Sequence, residues 1–298
     1  MPDAALTKYR AALRENFPAL TLQSLVYLGE GWGNVACLAN NHLIFRFPKR
    51  TDDAERLALE TRLLPELAPL LPLPIPQFTF ISKPKSKRFP YLFVGYESLP
   101  GITQNDWPEE IVGEDWWKEA LGDFLTALHA FPLDRAAHLG AGFINFAGTA
   151  GPHASWRESL EDFYSVVRRK VTPLLPDDRQ DAVAAYFEDF LDTDRFFDFE
   201  PVLLHADLAE DHVLLDPATK KVTGIIDFGD ACLGDPAYDV NSAVLPFYKG
   251  KIDPAFKERQ LFYRHLNPFI AIVFGLDHAD PLLVEYGLGV INSARFLA

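Results

Sequence analysis

The spacing of apolar residues predicts five strands in the first third of the chain. Apolar residues alternate with polar ones, or form short apolar runs, in five segments: 22–29, 34–40, 42–47, 77–82 and 91–97. The pair Asn40-Asn41 separates the second segment from the third and predicts a tight hairpin turn. We therefore expect a five-stranded antiparallel sheet in this part of the chain.

Helical spacing predicts two helices beside these strands. Residues 3–16 place apolar side chains on one helical face. A second helix should begin at Thr51 or Asp52 and end near Leu64, because Pro65 and a proline-rich stretch follow.

Helical patterns dominate after Pro100-Gly101. They cover 113–130, 155–172, 177–192, 236–248, 254–265 and 281–297. The exception is 202–228, where two short apolar runs joined by the turn sequence DPATKK predict a small hairpin. The pattern indicates an α+β, bilobal fold with a β-rich N-lobe (1–98), a mainly helical C-lobe (99–298) and a hinge at 96–101.

The charge of the chain is strongly asymmetric. The 298 residues carry a net charge of −14; residues 1–98 hold 12 basic and 9 acidic residues, and 99–298 hold 16 and 33. This acidity argues against partners such as nucleic acid or an anionic membrane surface, and it suits cationic ligands or metal ions.

Other features favour a cytoplasmic protein, which we expect to be a monomer. Cys37 and Cys232 lie far apart, which excludes a thiolate zinc site and suits a reducing compartment. The first 17 residues contain no signal-peptide core, and the apolar run at 268–276 is too short to span a bilayer.

Polar residues concentrate in HADLAEDHVLLD (205–216) and IIDFGDACLGDPAYD (225–239). Asp207 follows the apolar PVLLH, His212 comes five residues later, and Asp227 directly follows Gly224-Ile225-Ile226. Two carboxylates at the ends of adjacent short strands suit a division of labour. One would accept a proton from an attacking hydroxyl, and the other would hold Mg²⁺ against a triphosphate.

The N-terminal part supplies a candidate phosphate site. The loop GEGWGN contains Gly29, Gly31 and Gly33, which allow backbone amides to approach phosphates closely. Such a loop alone could equally be an ordinary hairpin turn. Together with Arg46 on the next strand but one and Glu60 on the following helix, it predicts a phosphate cradle whose cation is held by a carboxylate.

These segments resemble the aminoglycoside phosphotransferase family, relatives of the protein kinases, and within it the aminoglycoside 2″-phosphotransferases most. The resemblance is carried by GEGWGNVACLANNHLIFRFPKR, LLPLPIPQF and LLHADLAEDHVLLDPATKKVTGIIDFGDACLGDPAYD, and it extends over essentially the whole chain. It implies a protein-kinase-like fold and an antibiotic-resistance enzyme that transfers the γ-phosphoryl group of ATP or GTP, with Mg²⁺, to an alcohol group of a small molecule.

The resemblance also implies residue roles. Asp207 would be the catalytic base or hydroxyl-orienting group, His212 and Asp227 would hold the metal, and Asp239 would brace the catalytic loop. The nucleotide would contact the glycine loop, the cradle pair and the backbone near the hinge: Gly29, Gly31, Trp32, Gly33, Arg46, Glu60, Glu97, Ser98 and Leu99.

The chain departs from the family pattern at three places. Arg46 stands where the family generally has Lys, and His212 stands where most kinases have Asn. The segment 241–250 contains no carboxylate, whereas the 2″-phosphotransferases carry acidic residues there. A cationic acceptor would then need other contacts besides Asp207, for which the candidates are Glu158, Glu161, Asp162, Asp230 and Tyr248.

Several alternatives stay open at this point. The acceptor could be an aminoglycoside, a macrolide, an amino-sugar metabolite or a choline-like amine. The nucleotide could be ATP or GTP. A chain with Arg46 and His212 as degenerate positions could also be an inactive relative that binds nucleotide.

Overall fold

The computed structural model describes residues 3–103, 106–146, 152–293 and 296. Nine strands lie within these ranges: β1 (Leu25–Glu30), β2 (Asn34–Ala39), β3 (Leu43–Pro48), β4 (Phe80–Ile81), β5 (Val94–Glu97), β6 (Val202–Leu204), β7 (Val213–Asp216), β8 (Lys221–Ile225) and β9 (Cys232–Gly234). The α-helices there are α1 (Asp3–Asn16), α2 (Thr51–Leu67), α3 (Glu109–Val112), α4 (Trp116–His129), α5 (Leu133–Leu139), α6 (Trp156–Lys170), α7 (Asp177–Leu191), α8 (Pro236–Asp239), α9 (Phe256–His278) and α10 (Pro281–Ile291).

The first five strands form one antiparallel sheet in the order β1-β2-β3-β5-β4, which confirms the predicted sheet. Asn40 and Asn41 join β2 to β3 with φ angles of 51° and 62°. The His42 N–H donates to the Ala39 carbonyl over 3.2 Å and closes a turn with these two residues at its centre. Asparagine tolerates such a left-handed backbone better than most residues. The sequence therefore fixes the register of β2 against β3.

The inner face of this sheet is aromatic and packs against α1. Phe45 and Phe47 alternate along β3 with Ile44 and Arg46, which point to the opposite face. Both phenylalanines are fully buried, and Tyr9 on α1 lies 4.4 Å from Phe47 between ring centroids. Gly95 on β5 pairs with Phe45, and a Cβ at Gly95 would lie 2.3 Å from the Phe45 ring. The close approach of ring and backbone excludes any larger residue there.

The predicted hairpin in the helical part is present as β7 and β8. A second two-stranded sheet, β6 with β9, was not predicted, because β9 is only the three residues Cys232–Gly234. The chain runs from β6 through a loop into β7 and from β8 through a second loop into β9. The two polar segments of the sequence thus emerge side by side.

The predicted helix over 236–248 is wrong. Helix α8 ends at Asp239, and a single 3₁₀ turn, Leu245–Phe247, follows. The side-chain oxygen of Asn241 accepts hydrogen bonds from the backbone N–H groups of Ala243 and Val244. Such local bonds compete with the helical pattern.

Helix α9 is longer than predicted. It continues past position 265 to His278 with Pro268 in its interior. Buried Phe269 and Ile272 extend its apolar face beyond the proline, so tertiary packing outweighs the lost backbone bond. The predicted helix over 281–297 ends at Ile291, and α5 was missed. Helix α2 likewise passes Pro65 and ends at Leu67.

Two apolar cores are present, and α2 links the sheet to the larger one. The first core lies between α1 and the sheet, and the second fills the helical part. Leu63, Leu64 and Leu67 of α2 pack into the second core. The division at residue 98 stays a prediction. Within the described ranges, no helix has the length and apolar character needed to cross a membrane.

Candidate active site

Arg46 joins the sheet to the helical part. Its Nη1 donates to Glu60 Oε2 over 2.7 Å, and its Nη2 donates to Asp227 Oδ1 over 2.8 Å. The strand β3 directs Arg46 under the sheet toward α2, which presents Glu60 from the same side. The predicted cradle pair is therefore formed, and the guanidinium fork uses its two ends on two different carboxylates.

The pair is almost fully buried. Glu60 is 1% exposed and its second oxygen, Oε1, has no hydrogen-bond partner among the described residues. Burial raises the pKa of Glu60 to about 7, although the charge of Arg46 opposes that shift. Burial also disfavours charge on Arg46, but Glu60 and Asp227 outweigh it and raise the pKa of Arg46 above its usual value. The arginine therefore stays charged.

The loop after β6, residues 205–209, is held by Asp239. Its two carboxylate oxygens accept the backbone N–H groups of His205 and Ala206 over 2.7 and 2.8 Å. Ala206 has a φ of 65°, an unfavourable angle for a residue with a Cβ, and the two bonds stabilise it there. The bracing role that the resemblance implied for Asp239 has this geometric basis.

His205 is buried beneath the loop as a neutral ring. Its Nε2 lies 3.1 Å from the Ile226 carbonyl, and its Nδ1 accepts the Asp207 N–H over 3.3 Å. This pattern requires a proton on Nε2 and none on Nδ1. Burial lowers the pKa of His205, in agreement with that tautomer.

The structure brings Asp207, His212 and Asp227 together. His212 Nδ1 lies 3.5 Å from Asp207 Oδ2, and His212 Nε2 lies 3.8 Å from Asp227 Oδ2. Nδ1 also lies 2.7 Å from the carbonyl oxygen of Asp207, to which it donates. Asp227 has a φ of 64°, so here too a strained backbone sits at the candidate site.

The pKa values of Asp207 and Asp227 are shifted in opposite directions. Burial, together with the charges of Asp230, Asp227 and Asp211, raises the pKa of Asp207 to about 7 despite the nearby His212. Burial acts in the same direction on Asp227, but Arg46 and His212 outweigh it and lower its pKa. Asp207 is thus suited to exchange a proton near neutral pH, and Asp227 is suited to remain an anion.

The pKa of His212 is shifted by both neighbouring carboxylates. Burial lowers the pKa of His212, but its bond to the Asp207 carbonyl and the charges of Asp207 and Asp227 outweigh burial and raise it.

The residues present fit a divalent cation. No group of three or more His, Cys, Asp or Glu side chains forms a ready metal cage in the described part of the chain. Mg²⁺ usually takes one or two protein ligands and fills its other positions with water and phosphate oxygens. Asp227 Oδ2 is not bonded to Arg46, and a His212 that donates Nδ1–H keeps the lone pair of Nε2 for a metal.

The glycine loop between β1 and β2 is open at its outer positions. A Cβ at Gly29 or Gly31 would meet no heavy atom within 4 Å. Gly33 differs, because a Cβ there would lie 2.8 Å from Oδ1 of Asp53 at the start of α2. Trp32 projects from this loop and stacks on Phe274 of α9.

The connection at 96–101 is tied to both parts. Ser98 N–H donates to the His42 carbonyl over 2.8 Å, and Thr223 Oγ1 donates to the Pro100 carbonyl. Gly101 has a φ of 121°, and a Cβ there would meet Thr223 at 2.3 Å. The predicted nucleotide contacts at Glu97, Ser98 and Leu99 stay a prediction.

Residues 24–276 match the sequence model of the phosphotransferase enzyme family, APH. The chain belongs to this family. It is therefore a phosphotransferase, and the family resemblance of its sequence motifs is confirmed.

Solved structures of APH enzymes show the same fold. A structure of APH(2″)-IIIa in complex with GDP and kanamycin is 27% identical, with a TM-score of 0.82 over 95% of this chain and 96% of that one. The macrolide 2′-phosphotransferase MphH from Brachybacterium faecium is 21% identical, with a TM-score of 0.70 over 96% and 98%. A streptomycin-ATP ternary complex of APH(2″)-IIa is 19% identical, with a TM-score of 0.65 over 98% and 96%. The predicted kinase-like α+β fold is confirmed.

Three of the residues proposed for an acceptor already have partners in this APH chain. Asp230 pairs with Arg56 of α2. Asp162 Oδ2 lies 2.9 Å from His153 Nε2. Glu158 accepts the Ala154 N–H at the start of α6.

The other two acceptor candidates differ in exposure. Tyr248 is buried and its hydroxyl bonds His129 Nδ1 over 2.8 Å. His129 in turn contacts Asp239, so Tyr248 supports the residue that holds the loop after β6. Its burial gives no support to an acceptor contact, whereas Glu161 remains exposed.

The sequence interpretation missed two residues that link the two parts of this phosphotransferase. Arg56 contacts Asp230, and Phe274 contacts Trp32. Both lie on helices, where a solvent-facing arginine and a core phenylalanine are the ordinary expectations. No signal in the sequence distinguishes them.

Proposed function

We propose that this APH chain transfers the γ-phosphoryl group of ATP or GTP, with Mg²⁺, to a hydroxyl of a small molecule, and that an aminoglycoside is the first acceptor to test. The observation that carries the proposal is the convergence of Arg46, Asp207 and Asp227. The fold brings the cation of the sheet within 2.8 Å of Asp227, whose neighbour His212 also lies beside Asp207. That arrangement matches the parts that phosphoryl transfer requires.

Asp207 would orient the acceptor hydroxyl and take its proton. The hydroxyl oxygen would form a bond to the γ-phosphorus while the bond between that phosphorus and the β–γ bridging oxygen breaks. The nucleoside diphosphate leaves, and Asp207 passes its proton to solvent. A carboxylate whose pKa is raised to about 7 is well matched to this proton exchange.

Charge neutralisation would come from both parts of the molecule. Arg46 and the open backbone of the glycine loop would face the phosphates, and Glu60 would hold Arg46 in place. When bound at Asp227 and His212, Mg²⁺ would neutralise phosphate charge.

Two observations bear on the acceptor class. The 27% identical relative was solved with kanamycin, and residues 99–298 of this chain carry 33 acidic and 16 basic residues. A polycationic acceptor suits that charge. A second observation favours a less cationic acceptor as the second candidate. Three of the proposed acceptor contacts already have partners: Asp230, Asp162 and Glu158. Macrolides, amino sugars and choline-like amines belong to that group.

The test is a Mg²⁺-dependent phosphotransfer assay with a matched pair of variants. Purified protein is supplied with ATP or GTP and with aminoglycosides, macrolides and small amines in turn, and phosphorylated product is detected by mass spectrometry. Asp207→Asn should lower turnover by at least about 10³-fold. Asp178→Asn is the control, because Asp178 is exposed on α7.

Product with an aminoglycoside would support the first acceptor class, and product only with another compound would support the second. Nucleotide binding without product from any compound would favour an inactive relative. Near-normal turnover in Asp207→Asn would contradict the role proposed for Asp207.

A further inference from the structure

Trp32, at the tip of the glycine loop, contacts the helical part of the protein. Its ring stacks on Phe274 of α9 with centroids 4.0 Å apart and planes inclined by 22°. We propose that Phe274 is a positioning residue, which acts through Trp32 to hold the glycine loop over the triphosphate. This inference rests on the proposed function, because it assigns the loop to the nucleotide.

Phe274 is itself held in place. His278, one turn later on α9, stacks on it with centroids 3.9 Å apart and an inclination of 19°. His278 Nδ1–H also donates to the Phe274 carbonyl over 2.9 Å. Two near-parallel rings within 4.0 Å of the same phenyl ring must occupy its opposite faces. His278 therefore backs Phe274, and the other face remains for Trp32.

Among the described residues, the hydrogen bonds of the loop join it to its own part of the chain. Arg50 Nη2 donates to the Trp32 carbonyl over 3.4 Å. Lys49 donates from Nζ to the Gly31 carbonyl over 2.8 Å and from its backbone N–H to the Gly33 carbonyl over 2.9 Å. The Cβ positions of Gly29 and Gly31 are open. Trp32 is 53% exposed, and Phe274 of α9 is the ring that covers it. Among the ring contacts of the described residues, this stack is what joins the loop to the helical part.

The glycine loop lies near Arg46 along the strands. In the β2–β3 register, Asn34 pairs with Pro48 and Ala36 pairs with Arg46, so the loop ends two positions from the strand level of Arg46. The two parts are thus joined at the Arg46–Asp227 ion pair and again at the Trp32–Phe274 stack. Loss of the stack would leave the ion pair and the Lys49 hydrogen bonds in place but release the loop from the helical part, which should weaken phosphate binding by the loop.

The experiment compares Phe274→Ala with Leu276→Ala, a control on the same helix with a side chain that is 41% exposed. We measure the dissociation constant and dissociation rate of a fluorescent nucleotide without acceptor, and hydrogen exchange of residues 29–34. Phe274→Ala should raise both nucleotide constants about three- to tenfold, the effect of one lost ring pair, and speed exchange in the loop. Leu276→Ala should match the wild type.

Three further variants distinguish positioning from general destabilisation. Phe274→Tyr keeps a ring and should restore nucleotide affinity, whereas Phe274→Leu should not. In a Trp32→Ala background, Phe274→Ala should cause no further loss, because the two residues act as a pair. With a working acceptor, Phe274→Ala should raise the KM for nucleotide more than it lowers kcat.

Unchanged exchange at 29–34 in Phe274→Ala, or additive effects in the double variant, would overturn the inference. A wild-type protein that binds no nucleotide would instead contradict the proposed function. The exchange comparison would still decide whether Phe274 holds the loop.

Discussion

Arg46 and Asp227 are 181 positions apart in the chain and 2.8 Å apart in the structure. The same guanidinium reaches Glu60 with its other nitrogen. Arginine at this position, in place of lysine, thus gives one side chain two fixed contacts. One is to Glu60 in the N-terminal part, and the other is to Asp227 in the helical part.

Removal of the Arg46 charge should destabilise the protein strongly. Arg46→Met leaves the carboxylate of Glu60 buried without a partner, which should lower the free energy of unfolding by about 3–5 kcal/mol. Chemical denaturation measures this. Arg157→Met is the control, because its partner Asp194 is 94% exposed and the loss should stay within about 1 kcal/mol. Equal losses in both variants would contradict the importance of burial.

Arg46→Lys should preserve the fold but lose one of the two carboxylate contacts that the guanidinium makes. An ammonium group is a point charge on a shorter reach, so it should keep Glu60 and lose the fixed bond to Asp227. We expect kcat/KM for nucleotide to fall by about tenfold, or about 1.4 kcal/mol. Steady-state kinetics with varied nucleotide tests this, and an unchanged or higher value would show that the fork is not used in catalysis.

His212 should leave a signature in the choice of metal. Imidazole nitrogen suits Mn²⁺ better than Mg²⁺, and an amide oxygen suits Mg²⁺. His212→Asn should therefore lower the ratio of activity with Mn²⁺ to activity with Mg²⁺ by about three- to tenfold. His138→Asn, at an exposed position, is the control. A ratio that does not move would argue that His212 contacts no metal.

Asp239 should control the order of the loop after β6. Asp239→Asn keeps one acceptor oxygen and presents an NH₂ group to the other backbone N–H, so one of the two bonds to His205 and Ala206 is lost. An unsatisfied buried donor costs about 1–3 kcal/mol. Hydrogen exchange at 205–207 should speed accordingly, while Asp216→Asn, in an exposed turn, should leave these amides unchanged.

His205 predicts a loss of stability in acid. Its pKa in the folded protein lies below the ordinary 6.5 because of burial, so the unfolded chain binds the proton more readily. The stabilisation is complete above pH 6.5 and declines as pH falls, by up to about 1.4 kcal/mol per pH unit until the folded pKa is reached. Denaturation between pH 7.5 and 5 measures the slope, and His205→Gln should make it shallower. An identical slope in that variant would contradict this assignment.

Local sequence was sufficient for much of the architecture. The sheet follows from alternating residues and from Asn40-Asn41, whose turn depends only on its own backbone preferences. The local sequence pattern was insufficient where local preferences and tertiary packing conflict. Pro268 is a helix breaker by itself, yet α9 continues because its apolar face remains buried on both sides of the proline.

The candidate site divides in the same way. The sequence by itself identified the candidate groups, since Asp207, His212, Asp227, Arg46 and the glycine loop are recognisable by residue type, spacing and adjacency to strands. Only the tertiary structure decided which carboxylates already have partners: Arg56 takes Asp230, and His153 takes Asp162. It also decided that Trp32 meets Phe274. Such contacts join side chains from distant segments, and their geometry depends on how whole helices pack, which no local pattern of residues encodes.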